Sequence, residues 1–175
     1  TFKLEAEGGC GVLGTACTIP IEGKYLLQAL LQMKNRGNGK GGGIAAVGLS
    51  AKQLGVPEDV LQEDYLIQVA YLDPAAREDV ESEFIRPFFH IDYQSRVPTV
   101  GNYRDVRLEV KPPEVYRYFC RVKTESLEEF VREKGLQGLG RVVIEDEFVY
   151  QNTYRLNLRF YSSLGEKRAL VLSHG

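Results

Sequence analysis

The chain has 175 residues, 43% of them hydrophobic and 26% charged, with a formal charge of −2 at pH 7. That length suits one domain with a full core. No apolar run approaches the roughly 18 residues of a membrane span, and interspersed charges of both signs leave no footprint for nucleic acid or an anionic lipid surface.

Three cysteines without a CxxC pair, and only two histidines, write no zinc site of ordinary spacing. An odd, low cysteine number without a signal peptide fits the reducing cytoplasm. No nucleotide or other cofactor signature stands out, so no cofactor is expected. The chain begins at Thr1 and stops on the β-like run "LVLSHG" at Gly175. This suggests a single domain over 1–175, cut from a longer chain, with residues 1–9 as a leader or tail.

The elements are expected to alternate. "CGVLGTAC" places Val12, Leu13 and Ala16 among glycines that lower helix propensity, and reads as a strand. In "GKYLLQALLQMKNRG", Leu26, Leu27, Leu30 and Met33 recur at helical spacing and Gly37 follows as a C-terminal cap. Ile44 to Leu49 then reads as a buried strand entered through a glycine loop.

"GVPEDVLQ" offers a helical turn and "EDYLIQVAYL" a strand. In "DPAAREDVESEFI", Asp73 is placed as an N-cap with Pro74 at the first helical position. The proline-rich stretch from Arg86 to Pro113 suggests irregular connections and one strand around Val106 to Val110.

"EVYRYFCRVK" reads as a strand, and "TESLEEFVREKG" as a helix with a Ser126 to Glu129 capping box and Gly135 as terminator. "IEDEFVYQNTYRLNLRFYSSLGEK" fits either period. The acidic "EDE" favours a helix that begins there. "RALVLSHG" is the last strand.

Cys10 sits between glycines that let the backbone approach another segment closely. It reads either as a small buried thiol or as a nucleophile. At a chain terminus its own α-amine, with a pKa of roughly 7.7–8.0, would serve as general base, and no catalytic histidine would be needed. Cys17 and Cys120 lie in apolar runs and are expected to be core thiols, and His90 and His174 to be packing or surface residues. "NRGNGKGGGIA" fails as a phosphate loop because Gly41 follows Lys40 where Ser or Thr is required. It fails as a dinucleotide fingerprint because its glycines lead from helix to strand.

Taken together, "CGVLG", the amphipathic helix and "MKNRGNGKGGGIAAVGL" resemble the start of the glutaminase domain of class II glutamine amidotransferases. The matching residues are Cys10, Gly11, Val12, Gly14, Arg36, Gly37, Gly43, Ile44 and Ala45. Within that family the chain looks most like the amidotransferase-like domain of archaeal-type glutamate synthases.

The resemblance implies an α+β fold of the N-terminal nucleophile hydrolase type, a four-layer α/β/β/α sandwich with two antiparallel sheets. It implies that Cys10 attacks the side-chain amide of glutamine, that ammonia leaves for a synthase domain or subunit, and that water releases glutamate. Gly11, Arg36 and Gly37 map beside the site as structural residues. "RFYS" at Arg159 is a loose echo of the family's carboxylate-binding segment, and "SHG" ending in Gly175 stands where the family has Asn-Gly. Those departures, and the nine residues ahead of Cys10, leave a second expectation: a catalytically inactive regulatory or assembly module of a glutamate synthase-like complex.

Overall fold

The computed structural model describes residues 11–33, 43–106, 111–162 and 165–175. The chain divides into two units, 1–48 and 49–175. In the first, the helical spacing of Leu26, Leu30 and Met33 forms α1 (Gly23–Met33), none of whose residues is buried. Its expected cap, Gly37, lies outside the described residues. The strand expected from Cys10 to Cys17 does not form over Gly11 to Cys17, nor does one form from Ile44 to Leu49. Val12 and Val47 are 86% and 99% exposed, so the apolar character that suggested these strands meets no neighbouring strand or face.

The second unit opens on α2 (Ala51–Leu54) and α3 (Glu58–Glu63). A reciprocal capping box starts α2: Ser50 Oγ accepts from the Gln53 backbone N–H, and the Gln53 side chain accepts from the Ser50 N–H. Gly55, at φ 73°, ends it in the left-handed region that glycine tolerates without a Cβ penalty. The helical turn expected here from sequence was "GVPEDVLQ" alone, which leaves out this Ser-x-x-Gln box.

Next come β1 (Tyr65–Tyr71), α4 (Ala76–Val80) and a π-helical turn (Glu81–Ile85), closed by the Arg86 N–H donating to the Glu81 carbonyl at 2.8 Å. Ala75, not Asp73, is the N-cap of α4, so Pro74 lies ahead of the helix; Asp73 instead braces the preceding turn, its Oδ1 accepting from Ala75 N–H at 3.0 Å. Arg168 binds Asp73 and Asp79, each at 3.0 Å, and holds that turn against the far end of the unit.

β2 (Phe89–Arg96) occupies the stretch expected to be irregular. Phe89, Ile91, Tyr93 and Ser95 alternate with exposed residues along it, and a register shift between Ile91 and Tyr93 puts Ile91 against the main core and Tyr93 on the opposite face. Of the strand expected at Val106 to Val110, Val106 ends a short 3₁₀ turn instead, and the rest lies outside the described residues. β3 (Glu114–Val122), α5 (Thr124–Lys134), α6 (Arg141–Phe160) and β4 (Ala169–His174) complete the unit. α5 begins at Thr124 with Lys123 as N-cap, so the Ser126–Glu129 box falls inside the helix, and Gly135 closes it at φ 66°. α6 starts four residues ahead of "EDE". Its buried residues Ile144, Phe148, Asn152, Leu156 and Phe160 hold the four-residue spacing, whereas Tyr154 and Leu158 are exposed.

The strands make one antiparallel sheet in the order β2-β3-β1-β4. The described fold is therefore a mixture of helix and strand with a single four-stranded sheet; no second sheet occurs among the described residues. Ile67, Val69, Tyr71, Tyr118, Cys120 and Val122 face Val80, Ile85, Phe148, Leu156 and Phe160 in the main core. Phe148 is its hub, with edge-on contacts to Phe88, Phe89 and Phe130 at 5.3–6.0 Å between centroids. On the opposite face, among the described residues of this unit, Phe119, Leu66 and Tyr93 pack on Ala51, Leu54, Val56 and Val60. Beside these residues the same face turns polar. Arg117 Nε donates to Gln68 Oε1 at 3.0 Å, and Gln68 Nε2 donates to Ser173 at 2.8 Å.

Candidate functional site

Of the residues singled out from sequence, Cys10, Arg36 and Gly37 lie outside the described residues. Gly11 is half-buried in the first unit and outside any regular element. Arg159 stands on α6, 61% exposed along its side chain, with its Nε 3.6 Å from Glu83 Oε2. Gly175 pairs through its backbone with Leu66, at 2.7 and 3.2 Å.

α6 and β4 run antiparallel: Phe160 O accepts from Arg168 N–H, Asn157 Oδ1 from Val171 N–H, and Tyr150 lies 6.2 Å from His174. Arg159 and Gly175 are thus held at opposite ends of this pair. Cys17 is exposed, correcting its reading as a core thiol, while Cys120 is buried as expected. Burial pushes the Cys120 thiol well up, with Asp64 and Asp92 adding to the effect, so it stays protonated and unreactive.

The geometry instead assembles two charged centres that sequence reading missed. The first lies at one end of the sheet. Asp64 follows α3 directly, and its side chain is only 2% exposed. Arg121 on β3 grips Asp92 of β2 through two hydrogen bonds, at 2.5 and 3.0 Å, while Asp64 Oδ1 stands 3.7 Å from the same Nε. Asp64 Oδ2 is buried without a partner, although the carboxyl lies within hydrogen-bonding reach of Asp92.

Two ionised carboxylates cannot satisfy one another there. Protonation resolves the conflict, because a neutral Asp64 donates to Asp92 while Asp92 stays ionised on Arg121. Burial first, then the Asp92 charge and hydrogen bond, push Asp64 up to about 6, against the pull of Arg121. The Arg121 hydrogen bond holds Asp92 below its ordinary value.

The linkage follows from those directions. Asp64, raised in the fold, contributes stability that is complete below its ordinary value of 3.8 and is lost as pH rises through about 6; Asp92 contributes in the opposite sense. Asp64→Asn, whose amide donates to Asp92 without the charge, is expected to stabilise the chain by about 1–2 kcal/mol at pH 8 and to change it little at pH 4. Urea denaturation at the two pH values checks this, and a variant weakened equally at both would refute the shared proton.

No family model, curated protein or solved structure matches the chain.

The second centre is in the core. Glu81, 7% exposed in the π-helical turn, takes hydrogen bonds from Tyr118 (2.9 Å) and Arg77 (2.6 Å) on Oε1 and from Arg86 (3.1 Å) on Oε2. Tyr118 shares a 2.8 Å hydrogen bond with Tyr71, and the Arg77 guanidinium lies 4.0 Å over the Tyr116 ring. Burial pushes Tyr71 up to about 12 and Tyr118 higher still, so both phenols stay neutral donors.

Both Glu81 oxygens are occupied, which makes this centre a structural anchor. Each centre is a carboxylate held by arginine, and neither places a nucleophile beside a base. Among the described residues, no group of three or more His, Cys, Asp or Glu is arranged to hold a metal ion. No helix there is long and apolar enough to cross a membrane.

Proposed function

We propose that this chain is a class II glutamine amidotransferase-like domain in which Cys10 attacks glutamine and ammonia passes to a synthase partner. The observation that carries the reading is the ordered match of Cys10-Gly11-Val12-x-Gly14 with Arg36-Gly37 and Gly43-Ile44-Ala45, on either side of a helical segment. The four-stranded antiparallel sheet, with its large helices on one face, is compatible with one half of a four-layer N-terminal nucleophile hydrolase sandwich. That sandwich is the finer fold proposed.

In this reading the freed α-amine of Cys10 takes the thiol proton. The thiolate adds to the side-chain amide carbon, and the amine returns the proton to the departing ammonia. Water, deprotonated by the same amine, then cleaves the thioester to give glutamate and restores the thiol.

The proposal depends on release of residues 1–9. A chain starting at Cys10, identified by intact mass, is expected to convert glutamine to glutamate and ammonia, whereas the chain carrying residues 1–9 is not. A processed chain that leaves glutamine intact would overturn the enzymatic reading and favour the regulatory or assembly module, to which the Ser173-His174-Gly175 ending, without the family's asparagine, already points.

A further inference from the structure

α6 carries on its outer side a line of large side chains that the second unit leaves uncovered. Val143, Tyr150, Tyr154 and Leu158 are 53–58% exposed, and Tyr150 stacks on Tyr154 at 6.3 Å. They recur at intervals of seven and four residues, on the face opposite Phe148, Asn152 and Leu156. Beside the first half of this line is a concavity of about 720 Å³, walled by Leu136, Leu139, Val143, Ile144 and Tyr150. Glu147 and Gln151 lie among these side chains and in the wall of the concavity, so the surface is an apolar patch with polar groups set into it, as interaction sites commonly are.

Two features of α6 say what covers it. Beyond Arg141, which pairs with Glu145 of its own helix, its charges are polarised along the axis: Asp146 and Glu147 in the first half, Arg155 and Arg159 in the second. Its shape is polarised in the same direction, with the concavity beside the first half and the Tyr154 and Leu158 side chains projecting from the second. A parallel neighbour would set like charges together. A second α6 lying antiparallel sets acid against base and projection against recess, twice over, as a two-fold axis requires.

We propose that this face of α6 is the interface of a homodimer, with the two helices antiparallel about an axis at Gln151. Glu147 then lies opposite Arg155 of the second copy, four residues on either side of the axis. Leu158 of the second copy reaches Val143 and Ile144 at the concavity, and Tyr154 falls between Glu147 and Tyr150. A 20-residue helix supplies about 30 Å of contact length.

Glu147 and Arg155 are the pair free to bond across the axis. Glu145 and Asp146 are already engaged within the copy by Arg141 and Tyr65, and Arg159 lies beside Glu83. Among the described residues, Glu147 has a local Gln151 contact at 2.7 Å, and Arg155 the Phe88 ring and a long 3.5 Å contact to Asn152.

Sedimentation equilibrium of the full chain tests this. The wild type is expected to reach twice the chain mass as concentration rises, and Tyr154→Asp to remain a monomer. Glu147→Arg and Arg155→Glu alone should each raise the dissociation constant about tenfold or more, which corresponds to about 1.4 kcal/mol. An equimolar mixture of the two reversed variants should regain the wild-type constant, because opposite charges then face each other at both contacts across the axis. Far-UV circular dichroism and melting of each variant show that it is folded. A wild type that stays monomeric at every concentration overturns the proposal, as do charge reversals that leave the dimer intact or a mixture no tighter than its components.

Discussion

Cys10→Ala is expected to leave glutamine hydrolysis at background, a loss on the order of 10⁴ to 10⁶ in kcat, under the glutaminase reading proposed above. The magnitude follows from the chemistry. The thiolate splits one difficult amide hydrolysis into two easier steps, and without it the remaining groups only bind the substrate. The other two cysteines make the experiment discriminating. Cys17 is exposed outside any regular element, so Cys17→Ala should change neither activity nor stability. Cys120 is completely buried, its thiol on the Tyr65 carbonyl at 3.7 Å, so Cys120→Ala should lower stability by about 1–2 kcal/mol and leave the turnover of folded enzyme intact. Retained hydrolysis in Cys10→Ala, or its loss in Cys17→Ala, would remove Cys10 from the nucleophile's role. Ammonia release under saturating glutamine, with a melting curve for each variant, separates chemistry from folding.

The second unit was legible wherever local pattern and burial agree. β1, β3, α5 and β4 lie within the segments assigned to them, and α6 overlaps its segment but starts three residues before it, because their apolar residues repeat at the period of their element and find a partner face in the core. β2 was missed although its residues alternate, because the prolines that bracket it, Pro87 and Pro98, drew the whole stretch into an irregular reading. The strands expected around Val12 and Val47 show the converse. Short apolar residues among glycines give β-propensity, but a strand also requires a neighbour to take its backbone hydrogen bonds, and none is formed there.

The charged centres were the least legible. Asp64, Asp92 and Arg121 lie 28 and 29 residues apart in sequence and meet only because β3 lies between β1 and β2. A lone acid at the end of a short helix carries no signal of that company. Glu81 was equally disguised, since an acidic residue in "REDVESE" reads as part of a solvated helix face.

Glu81→Ala should be among the most damaging single substitutions in the second unit, costing about 3–5 kcal/mol in urea denaturation. The carboxylate itself contributes little net energy, because its desolvation offsets most of the attraction to Arg77 and Arg86. The damage comes from what is left behind. Tyr118, wholly buried, keeps only its bond to Tyr71, and Arg77 loses its carboxylate partner, while Arg86 keeps its pairing with Glu78. Glu81→Gln retains one oxygen for Tyr118 or Arg77 and removes the charge, so it should fall between wild type and alanine. Tyr118→Phe removes the single hydroxyl that links Tyr71 to Glu81 and should cost about 1–2 kcal/mol.

The π-helical turn is part of the same arrangement. Its wider winding keeps Glu81 and Ile85 both turned inward after Val80, so that the acid reaches the sheet while Arg86 folds back over it. If the anchor reading is right, the order of loss runs Tyr118→Phe, Glu81→Gln, Glu81→Ala, at an unchanged m-value. A Glu81→Ala variant within about 1 kcal/mol of wild type would mean that water replaces the carboxylate at no penalty, and the centre would then be solvated rather than structural.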